Sequence, residues 1–254
     1  MLQEELKAAV DAAAKAGEEV ARLRSSGLRY GHKHGYELVS EADLRAAEIL
    51  HEGLAERFPS DGWLSEEHVD TAARLSRERV WIVDPIDGTR EYLQGVPEYA
   101  ISVGLVIHGK PALGVVHNPA TGELFSAVCS EARELPELVA PLPKCDVLVG
   151  RGEHRWDDLP PLPKGARARG VGSVAYRLAL IAAGKGDVVL TNTGRSEWDV
   201  AAGAALCLAA GLRVTDILSQ PLPFNQRDPW VRGLLVAKPG VHAAFTRHFS
   251  QFIR

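Results

Sequence analysis

Two carboxylates lie three residues apart in the stretch Asp84-Pro85-Ile86-Asp87-Gly88-Thr89. The four apolar residues before it, 80–83, predict a short buried strand. We expect this strand to end at Asp84-Pro85, because proline has no N–H donor and restrains the residue before it. Carboxylates are ligands for hard cations such as Mg²⁺, and free N–H groups at the following turn favour an anion. The stretch therefore predicts a site for a cation and an anion together.

Further acidic candidates lie on separate segments of the chain. Glu66 follows a short apolar pair, and by itself this position is more typical of a solvated strand end or helix start. Asp199 lies far downstream. Asp43 is the third residue after Ser40, which predicts that the two cap a helix. Only the fold can bring Glu66 and Asp199 to the first carboxylate pair, and the sequence alone does not show that they meet.

An acidic set of this kind suits the hydrolysis of a phosphate monoester. That reaction requires neutralisation of the phosphate charge, a nucleophilic water and stabilisation of the leaving alkoxide. Two or three magnesium ions, about 3.5–4 Å apart, can provide all three. The protein then supplies carboxylates and a place for the phosphate oxygens, and no nucleophilic side chain is needed.

The bulk composition is that of an ordinary globular protein. The 254 residues include 46% hydrophobic and 24% charged residues, and the formal net charge is −4. This charge gives no reason to expect a nucleic-acid polymer or a membrane surface as a partner, and no apolar run approaches the roughly 18 residues of a membrane span. The N-terminus lacks a signal-peptide core, and three widely spaced cysteines indicate free thiols and not a zinc site. We therefore expect a cytoplasmic protein.

The order of helical and extended patterns predicts a layered, mixed α/β architecture. Apolar runs separated by short turns at 99–107, 112–117 and 123–128 predict an antiparallel meander. We expect a connector at 131–144 and a long surface loop at 152–165. The remaining predicted helices are 2–23, 40–58, 172–183, 197–210 and 239–253, and the remaining predicted strands are 145–150, 187–190, 213–215 and 233–237.

Five ordered motifs resemble those of a known family. Asp84-Pro85-Ile86-Asp87-Gly88-Thr89 resembles the D-P-(I/L)-D-G-T signature of the inositol monophosphatase superfamily, a group of magnesium-dependent phosphomonoesterases. Ser65-Glu66-Glu67 resembles its upstream paired-glutamate motif. Further resemblances are Ser40-Glu41-Ala42-Asp43 to the upstream segment ending in aspartate, Gly172-Ser173-Val174 to the small-residue segment at the substrate pocket, and 197–203 to the W-D-x-A-(A/G)-(A/G) motif. They span most of the chain in family order, which makes chance agreement a poor explanation.

The resemblance implies a set of metal ligands. One metal would be bound by Glu66, Asp84 and the carbonyl of Ile86. A second would be bound by Asp84, Asp87 and Asp199, with Asp84 bridging the two. A third Mg²⁺, held mostly by water, would lie near Glu66.

The resemblance also implies catalytic and substrate-binding roles. Thr89 would orient the attacking water, Asp43 would hold the Thr89 hydroxyl, and Glu66 would contribute to water activation. The N–H groups of Gly88 and Thr89 would receive the phosphate at a helix start. The implied substrate-binding residues are Gly88, Thr89, Gly172, Ser173 and Asp199.

At the level of the whole chain, the resemblance implies the layered αβαβα sandwich of inositol monophosphatases and fructose-1,6-bisphosphatases. We expect a single phosphatase unit over 1–254. Its N-terminal half, to about residue 140, would hold the metal site and the meander. The C-terminal half, from about residue 141, would hold the substrate side and the Asp199 motif. Lithium sensitivity and a homodimer are further family expectations.

The substrate stays open between several small phosphorylated metabolites. Arg90-Glu91-Tyr92 departs from the Thr-Asn-Phe of inositol-type members and is closer to members that act on 3′-phosphoadenosine nucleotides. A glutamate that contacts sugar hydroxyls in inositol-type members is replaced by Thr191 or Asn192. A 3′(2′),5′-bisphosphate nucleotidase or an inositol monophosphatase is the primary hypothesis. The alternatives are a histidinol-phosphate or fructose-1,6-bisphosphate phosphatase, and a non-catalytic module that binds phosphorylated ligands.

Overall fold

The computed structural model describes residues 2–27, 29–32, 38–129, 144–155 and 159–252. The helices within these ranges are α1 (Gln3–Ser26), α2 (Glu41–Leu54), α3 (Thr89–Gln94), α4 (Arg151–Arg155), α5 (Val174–Ala182), α6 (Glu197–Ala209) and α7 (Pro239–Phe249), with a 3₁₀ helix at Ala72–Ser76. The strands are β1 (Tyr30–His32), β2 (Leu38–Ser40), β3 (Gly62–Ser65), β4 (Arg79–Asp87), β5 (Ala100–Ile107), β6 (Lys110–Asn118), β7 (Glu123–Val128), β8 (Cys145–Val149), β9 (Ala166–Gly170), β10 (Val188–Thr191), β11 (Arg195–Ser196), β12 (Arg213–Thr215), β13 (Trp230–Val231) and β14 (Leu234–Ala237).

Two five-stranded sheets form the framework. The first has the order β3-β4-β5-β6-β7, with β3 parallel to β4 and the other neighbours antiparallel. The predicted meander is therefore confirmed as β5-β6-β7. The second sheet has the order β12-β14-β10-β8-β9 and pairs β8 in parallel with both β9 and β10. Two short antiparallel ribbons, β1-β2 and β11-β13, complete the strand pairing.

The helices form three layers around the two sheets. Helices α1 and α2 pack on one face of the first sheet, α5 and α6 fill the space between the sheets, and α7 covers the outer face of the second sheet. This is the layered αβαβα arrangement, and the predicted mixed α/β class is confirmed.

The central strand β4 shows how the sequence fits these layers. Trp81 and Val83 pack with α1 and α2, whereas Val80 and Ile82 pack with α5 and α6. Side chains alternate between the faces of a strand, so a strand covered by helices on both faces requires an uninterrupted apolar run. The four residues before Asp84 supply that run.

Helix α6 lies unusually close to the first sheet. A Cβ atom on Gly114 of β6 would lie 2.1 Å from the carbonyl oxygen of Ala202 in α6, which leaves room only for glycine. Ala201, Ala204 and Ala205 continue the small-residue face of the helix and are fully or almost fully buried. This close contact sets the position of the start of α6, where Asp199 lies.

Some predicted boundaries are wrong. The expected surface loop at 152–165 contains most of α4, and β9 was not predicted. The helix predicted for 40–58 spans Glu41–Leu54. It begins at Glu41 because Ser40 is its N-cap. The helices expected at 172–183 and 239–253 span Val174–Ala182 and Pro239–Phe249. The predicted connector, with the boundary between the two halves, lies outside the described residues except for Lys144.

Among the described helices, none combines the length and the apolar character that crossing a membrane requires.

Candidate active site

A bulge in β4 sets the directions of the two signature carboxylates. Asp84 is opposite Ser102 and Asp87 is opposite Ala100, so three steps along β4 correspond to two steps along β5. Residues three apart in a regular strand point to opposite faces, but the extra residue at this bulge turns both carboxylates toward the same site. The prediction that the strand ends at Asp84-Pro85 is therefore wrong. Proline is tolerated inside β4 because the bulge needs no N–H donor there.

A third carboxylate joins this pair from another layer. Asp199 lies in the first turn of α6, and carboxylate oxygens of Asp84, Asp87 and Asp199 all lie within 4.8 Å of one another. Glu66, immediately after β3, lies on the wall of the same cavity, and its backbone N–H donates to the carbonyl of Val83 in β4. The fold thus gathers the four predicted acidic residues.

The gathered carboxylates strongly disfavour one another's charge. Burial, followed by the carboxylates of Glu66, Asp87 and Asp199, raises the pKa of Asp84 well above its usual range. Burial and then the charges of Asp87 and Glu66 raise the pKa of Asp199 in the same way. Like charges in a buried site cannot all ionise without a compensating cation. Their repulsion is a physical reason for this site to bind cations.

The donor set fits magnesium. Every candidate ligand is an oxygen, as a hard cation prefers, and Ile86 lines the cavity beside the carboxylates. The N–H of Ile86 donates to Asp84 Oδ1 over 3.0 Å, which fixes that carboxylate against its own strand. Within the described residues, these three aspartates form a group whose oxygens could bind one metal ion together.

The start of α5 orients Asp87. The hydroxyl of Ser173 and the N–H of Ala175 both donate to Asp87 Oδ2, each over 2.6 Å. Ser173 is also the N-cap of α5, where its Oγ accepts the N–H of Tyr176. These bonds hold one oxygen of Asp87 and leave the other, Oδ1, for a cation, since outer hydrogen bonds commonly orient metal ligands.

A second hydrogen-bonded pair lies next to the acidic cluster. The Thr89 hydroxyl donates to Asp43 Oδ1 over 2.9 Å and also lies 3.2 Å from the carbonyl of Ile86. The other oxygen of Asp43 accepts from the backbone N–H and hydroxyl of Ser40 at 2.7 and 2.5 Å. Asp43 therefore completes the predicted capping box of α2 and also contacts Thr89.

An open cavity of about 530 Å³ lies above these groups. The described residues that line it are Leu38, Glu66, Asp84, Ile86, Asp87, Gly88, Thr89, Arg90, Glu91, Arg195 and Asp199. Gly172 and Ser173, predicted to bind substrate, are not in this lining: the N–H of Gly172 donates to Glu98, and Ser173 contacts Asp87. A Cβ on residue 172 would lie 2.5 Å from Glu91 Cγ, so Gly172 allows a cavity-lining side chain to pack closely.

The position of the missing glutamate gives no carboxylate to the cavity. The Thr191 hydroxyl is buried and contacts Arg177 over 3.2 Å, and Asn192 is exposed. Neither residue lines the cavity.

The charged group formed by Glu153, Arg177 and Arg195 at the cavity wall was not predicted from the sequence. Arg195 lines the cavity, and Glu153 of α4 lies 3.6 Å from both Arg195 and the fully buried Arg177. The one available signal was the proximity of Arg195 to Asp199, four residues downstream. Glu153 lay in a segment predicted to be a loop.

Comparison with known proteins places the fold and site in context. Residues 1–253 match the model of the inositol monophosphatase family. An inositol monophosphatase of Mesembryanthemum crystallinum is 31% identical, over 98% of this chain and 97% of that protein. The 3′(2′),5′-bisphosphate nucleotidase CysQ of Salmonella typhimurium is 29% identical, over 80% of this chain and 86% of that protein. The crystal structure of the extragenic suppressor protein suhB from Bartonella henselae superposes with a TM-score of 0.78 at 26% identity, covering 99% of this chain and all of that one.

Proposed function

Because the chain belongs to the inositol monophosphatase family and is a phosphatase of that family, we propose that it is a Mg²⁺-dependent phosphomonoesterase that acts on a small phosphorylated metabolite. The observation that carries this proposal is the group formed by Asp84, Asp87 and Asp199, whose oxygens lie within 4.8 Å of one another at the wall of an open cavity. Glu66 and the Ile86 carbonyl complete the proposed ligand set for two or three ions.

Bound Mg²⁺ would supply charge neutralisation and an acidified water. Residues of this chain orient and activate the water. The Thr89 hydroxyl donates a hydrogen bond to Asp43, which leaves Thr89 Oγ1 to accept a hydrogen bond from the attacking water. This contact orients the water, and Glu66 on the cavity wall is the carboxylate that assists its deprotonation.

The phosphate is proposed to lie against the N–H groups of Gly88 and Thr89. Gly88 is the N-cap residue of α3, and both residues line the cavity. N–H groups at a helix start favour an anion, which supports this position for the phosphate oxygens.

Among substrates, we favour a nucleoside 3′(2′),5′-bisphosphate over an inositol phosphate. Arg90 and Glu91, the departures from inositol-type members, both line the cavity, and the position of the sugar-binding glutamate places no carboxylate there. The similarity to both an inositol monophosphatase and CysQ is compatible with either substrate. Our proposal extends to a homodimer in the cytoplasm and to inhibition by lithium.

The test is phosphate release with Mg²⁺ over four compounds: inositol 1-phosphate, adenosine 3′,5′-bisphosphate, fructose 1,6-bisphosphate and histidinol phosphate. A preference for the nucleotide supports the favoured substrate, and a preference for inositol phosphate means that the missing glutamate is tolerated. Binding of these compounds without phosphate release, at saturating Mg²⁺, would instead indicate a non-catalytic module.

A further inference from the structure

Arg195 brings a positive charge to the cavity wall. It begins β11, four residues before Asp199, and its side chain is 26% exposed. Its Nε–H is buried and has no hydrogen-bond acceptor among the described residues. A buried donor without a partner is uncommon in a folded protein, and this one belongs to a residue that faces a ligand-sized cavity.

Glu153 forms an ion pair with this arginine on the side away from solvent. Its Oε1 accepts the backbone N–H groups of Asn192 and Thr193 and the Thr193 hydroxyl. Its Oε2 accepts the N–H of Gly150 and lies 3.6 Å from Arg195 Nη2. One carboxylate therefore anchors the segment that leads into β11 and attracts the guanidinium, while the Nε–H of that guanidinium has no acceptor in the described part of the chain.

Arg177 competes with Arg195 for the charge of Glu153. It is fully buried, lies 3.6 Å from the same Glu153 oxygen as Arg195, and contacts the Thr191 hydroxyl. A single glutamate thus faces two arginines, and its charge can neutralise only one. Because Arg177 is enclosed and Arg195 is partly exposed, the excess positive charge is available at the cavity.

Burial raises the pKa of Asp87 and of Asp199, and the charge of Arg195 partly offsets that rise from a distance. Among the described residues, Arg195 forms its ion pair with Glu153 and makes no ion pair with Asp87 or Asp199. Because the scissile phosphate is proposed to lie against Gly88 and Thr89, the unpartnered Nε–H of Arg195 on the cavity wall favours a second anionic group of the substrate. Guanidinium groups bind phosphate and carboxylate oxygens through paired N–H donors.

We propose that Arg195, oriented by Glu153, is a specificity-determining residue that contacts a second anionic group of the substrate. This inference rests on the proposed phosphatase function and deepens it. It implies that the preferred substrate carries two anionic groups, such as two phosphates on one nucleoside or sugar, and that Glu153 acts as a positioning residue.

The test compares adenosine 3′,5′-bisphosphate with adenosine 3′-monophosphate, which differ only in the second phosphate. For the wild type, kcat/KM should be higher for the bisphosphate. Arg195→Gln should lower the ratio of the two kcat/KM values by about 30-fold, the scale measured when one partner of a close charge pair is removed. Arg195→Lys should retain part of the ratio, because it keeps the charge and loses the planar fork.

Binding provides a readout that does not depend on turnover. The product adenosine 5′-monophosphate keeps the second phosphate, so titration calorimetry should show its dissociation constant rising by about 30-fold in Arg195→Gln, while that of adenosine stays unchanged. Arg169→Gln is the matched control, because Arg169 is exposed on β9 and does not line the cavity. Its ratio should equal that of the wild type.

Glu153→Gln tests the positioning role. It should lower the bisphosphate ratio in the wild-type background and have no further effect in Arg195→Gln, because both changes remove the same contact. Circular dichroism establishes whether each variant is folded, and the Arg195 variants test the inference even where Glu153→Gln does not fold.

The outcomes separate the inference from the function on which it rests. An equal loss for both substrates in Arg195→Gln, or a wild type that prefers the monophosphate, would overturn the role of Arg195 and leave the phosphatase assignment intact. A wild type that releases no phosphate from either compound at saturating Mg²⁺, nor from the wider panel, would overturn both.

Discussion

Thr89 Oγ1 lies 2.9 Å from Asp43 Oδ1, although 46 positions separate the two residues in the chain. Thr89 is the first residue of α3, and Asp43 is the third residue of α2. The same carboxylate caps α2 through Ser40. A helix cap and a candidate catalytic hydroxyl therefore share one buried side chain. Because the cap uses Asp43 Oδ2 and Thr89 contacts Oδ1, substitutions at Ser40 and at Thr89 test the two roles separately.

We predict that the two roles of Asp43 give different mutant phenotypes. Ser40→Ala removes the cap and should cost about 1 kcal/mol of stability with little effect on kcat. Thr89→Val removes the hydroxyl at nearly constant volume and should lower kcat by about 10²-fold or more, whereas Thr89→Ser should retain most activity. Denaturant unfolding and phosphate-release kinetics measure the two effects. Equal kcat values for Thr89→Val and Thr89→Ser would argue against a role for the hydroxyl.

We predict that Asp199→Asn lowers turnover without lowering the stability of the metal-free protein. Removing one charge from the repelling cluster should leave the metal-free protein at least as stable as the wild type. The same change removes a ligand, so turnover should fall by about three orders of magnitude, since bound metals contribute several kcal/mol to transition-state stabilisation.

The measurement is a melting curve with and without Mg²⁺, together with phosphate release. Mg²⁺ should raise the melting temperature of the wild type far more than that of the variant. Asp87→Asn should behave in the same way, and near-normal turnover in both variants would refute the metal-site assignment. Asp146→Asn, at an exposed position of β8, is the control.

We predict that Ser173 acts on catalysis through Asp87. Ser173→Ala removes a 2.6 Å hydrogen bond to Asp87 Oδ2, and the loss of such an outer contact should lower Mg²⁺ affinity or activity by about 10–100-fold. It also removes the cap of α5, so stability must be measured in parallel. Ser173→Thr keeps the hydroxyl and should restore the Mg²⁺ dependence. Unchanged Mg²⁺ affinity in a folded Ser173→Ala protein would show that Asp87 needs no such support.

We predict that the contact between α6 and the first sheet controls the position of Asp199. Gly114→Ala would place a Cβ 2.1 Å from the Ala202 carbonyl, which should cost about 1–3 kcal/mol and weaken Mg²⁺ binding as α6 shifts. Gly152→Ala is the matched control, because no atom lies within 4 Å of its added Cβ and alanine favours the helix in which it lies. Equal stabilities of the two variants would contradict the close packing.

We predict that His242 makes stability fall at mildly acidic pH. Burial, and then the charge of Arg213, lower its pKa to about 4 from an ordinary value of 6.5. Between these values the unfolded chain binds the proton and the folded protein does not, so stability rises with pH in this window and is lost as pH falls from about 6.5 toward 4. The contribution is about 2 kcal/mol at about pH 5.

Urea unfolding at about pH 5 and pH 7.5 measures this effect. His242→Gln cannot take up the proton and should lose about 2 kcal/mol of the difference in stability between the two pH values. His108→Asn is the control, because His108 is exposed and asparagine accepts its positive φ of 50°. An unchanged pH dependence in His242→Gln would rule out this residue as the cause.

Local patterns predicted a large part of the molecule. The capping relation between Ser40 and Asp43, the apolar run before Asp84 and the short turns between β5, β6 and β7 all depend on neighbouring residues, and all three are present. Element ends were less accurate where no cap or proline marks them, as at Leu54 and Phe249. Helix α4 and strand β9 were missed because the proline-rich stretch between them dominated the local pattern.

The sequence by itself determined which groups are available. These are oxygen ligands spaced as in one phosphatase family, an aspartate, Asp43, that caps a helix and could make a second contact, and an apolar strand able to lie between two helical layers. Only the tertiary structure decided how these groups are used. The bulge in β4 turns Asp84 and Asp87 to one side, the start of α5 donates to Asp87, and Glu153 holds Arg195 at the cavity wall. Spacing along a chain reports contacts within a few residues, whereas each of these arrangements depends on pairing or packing between distant segments.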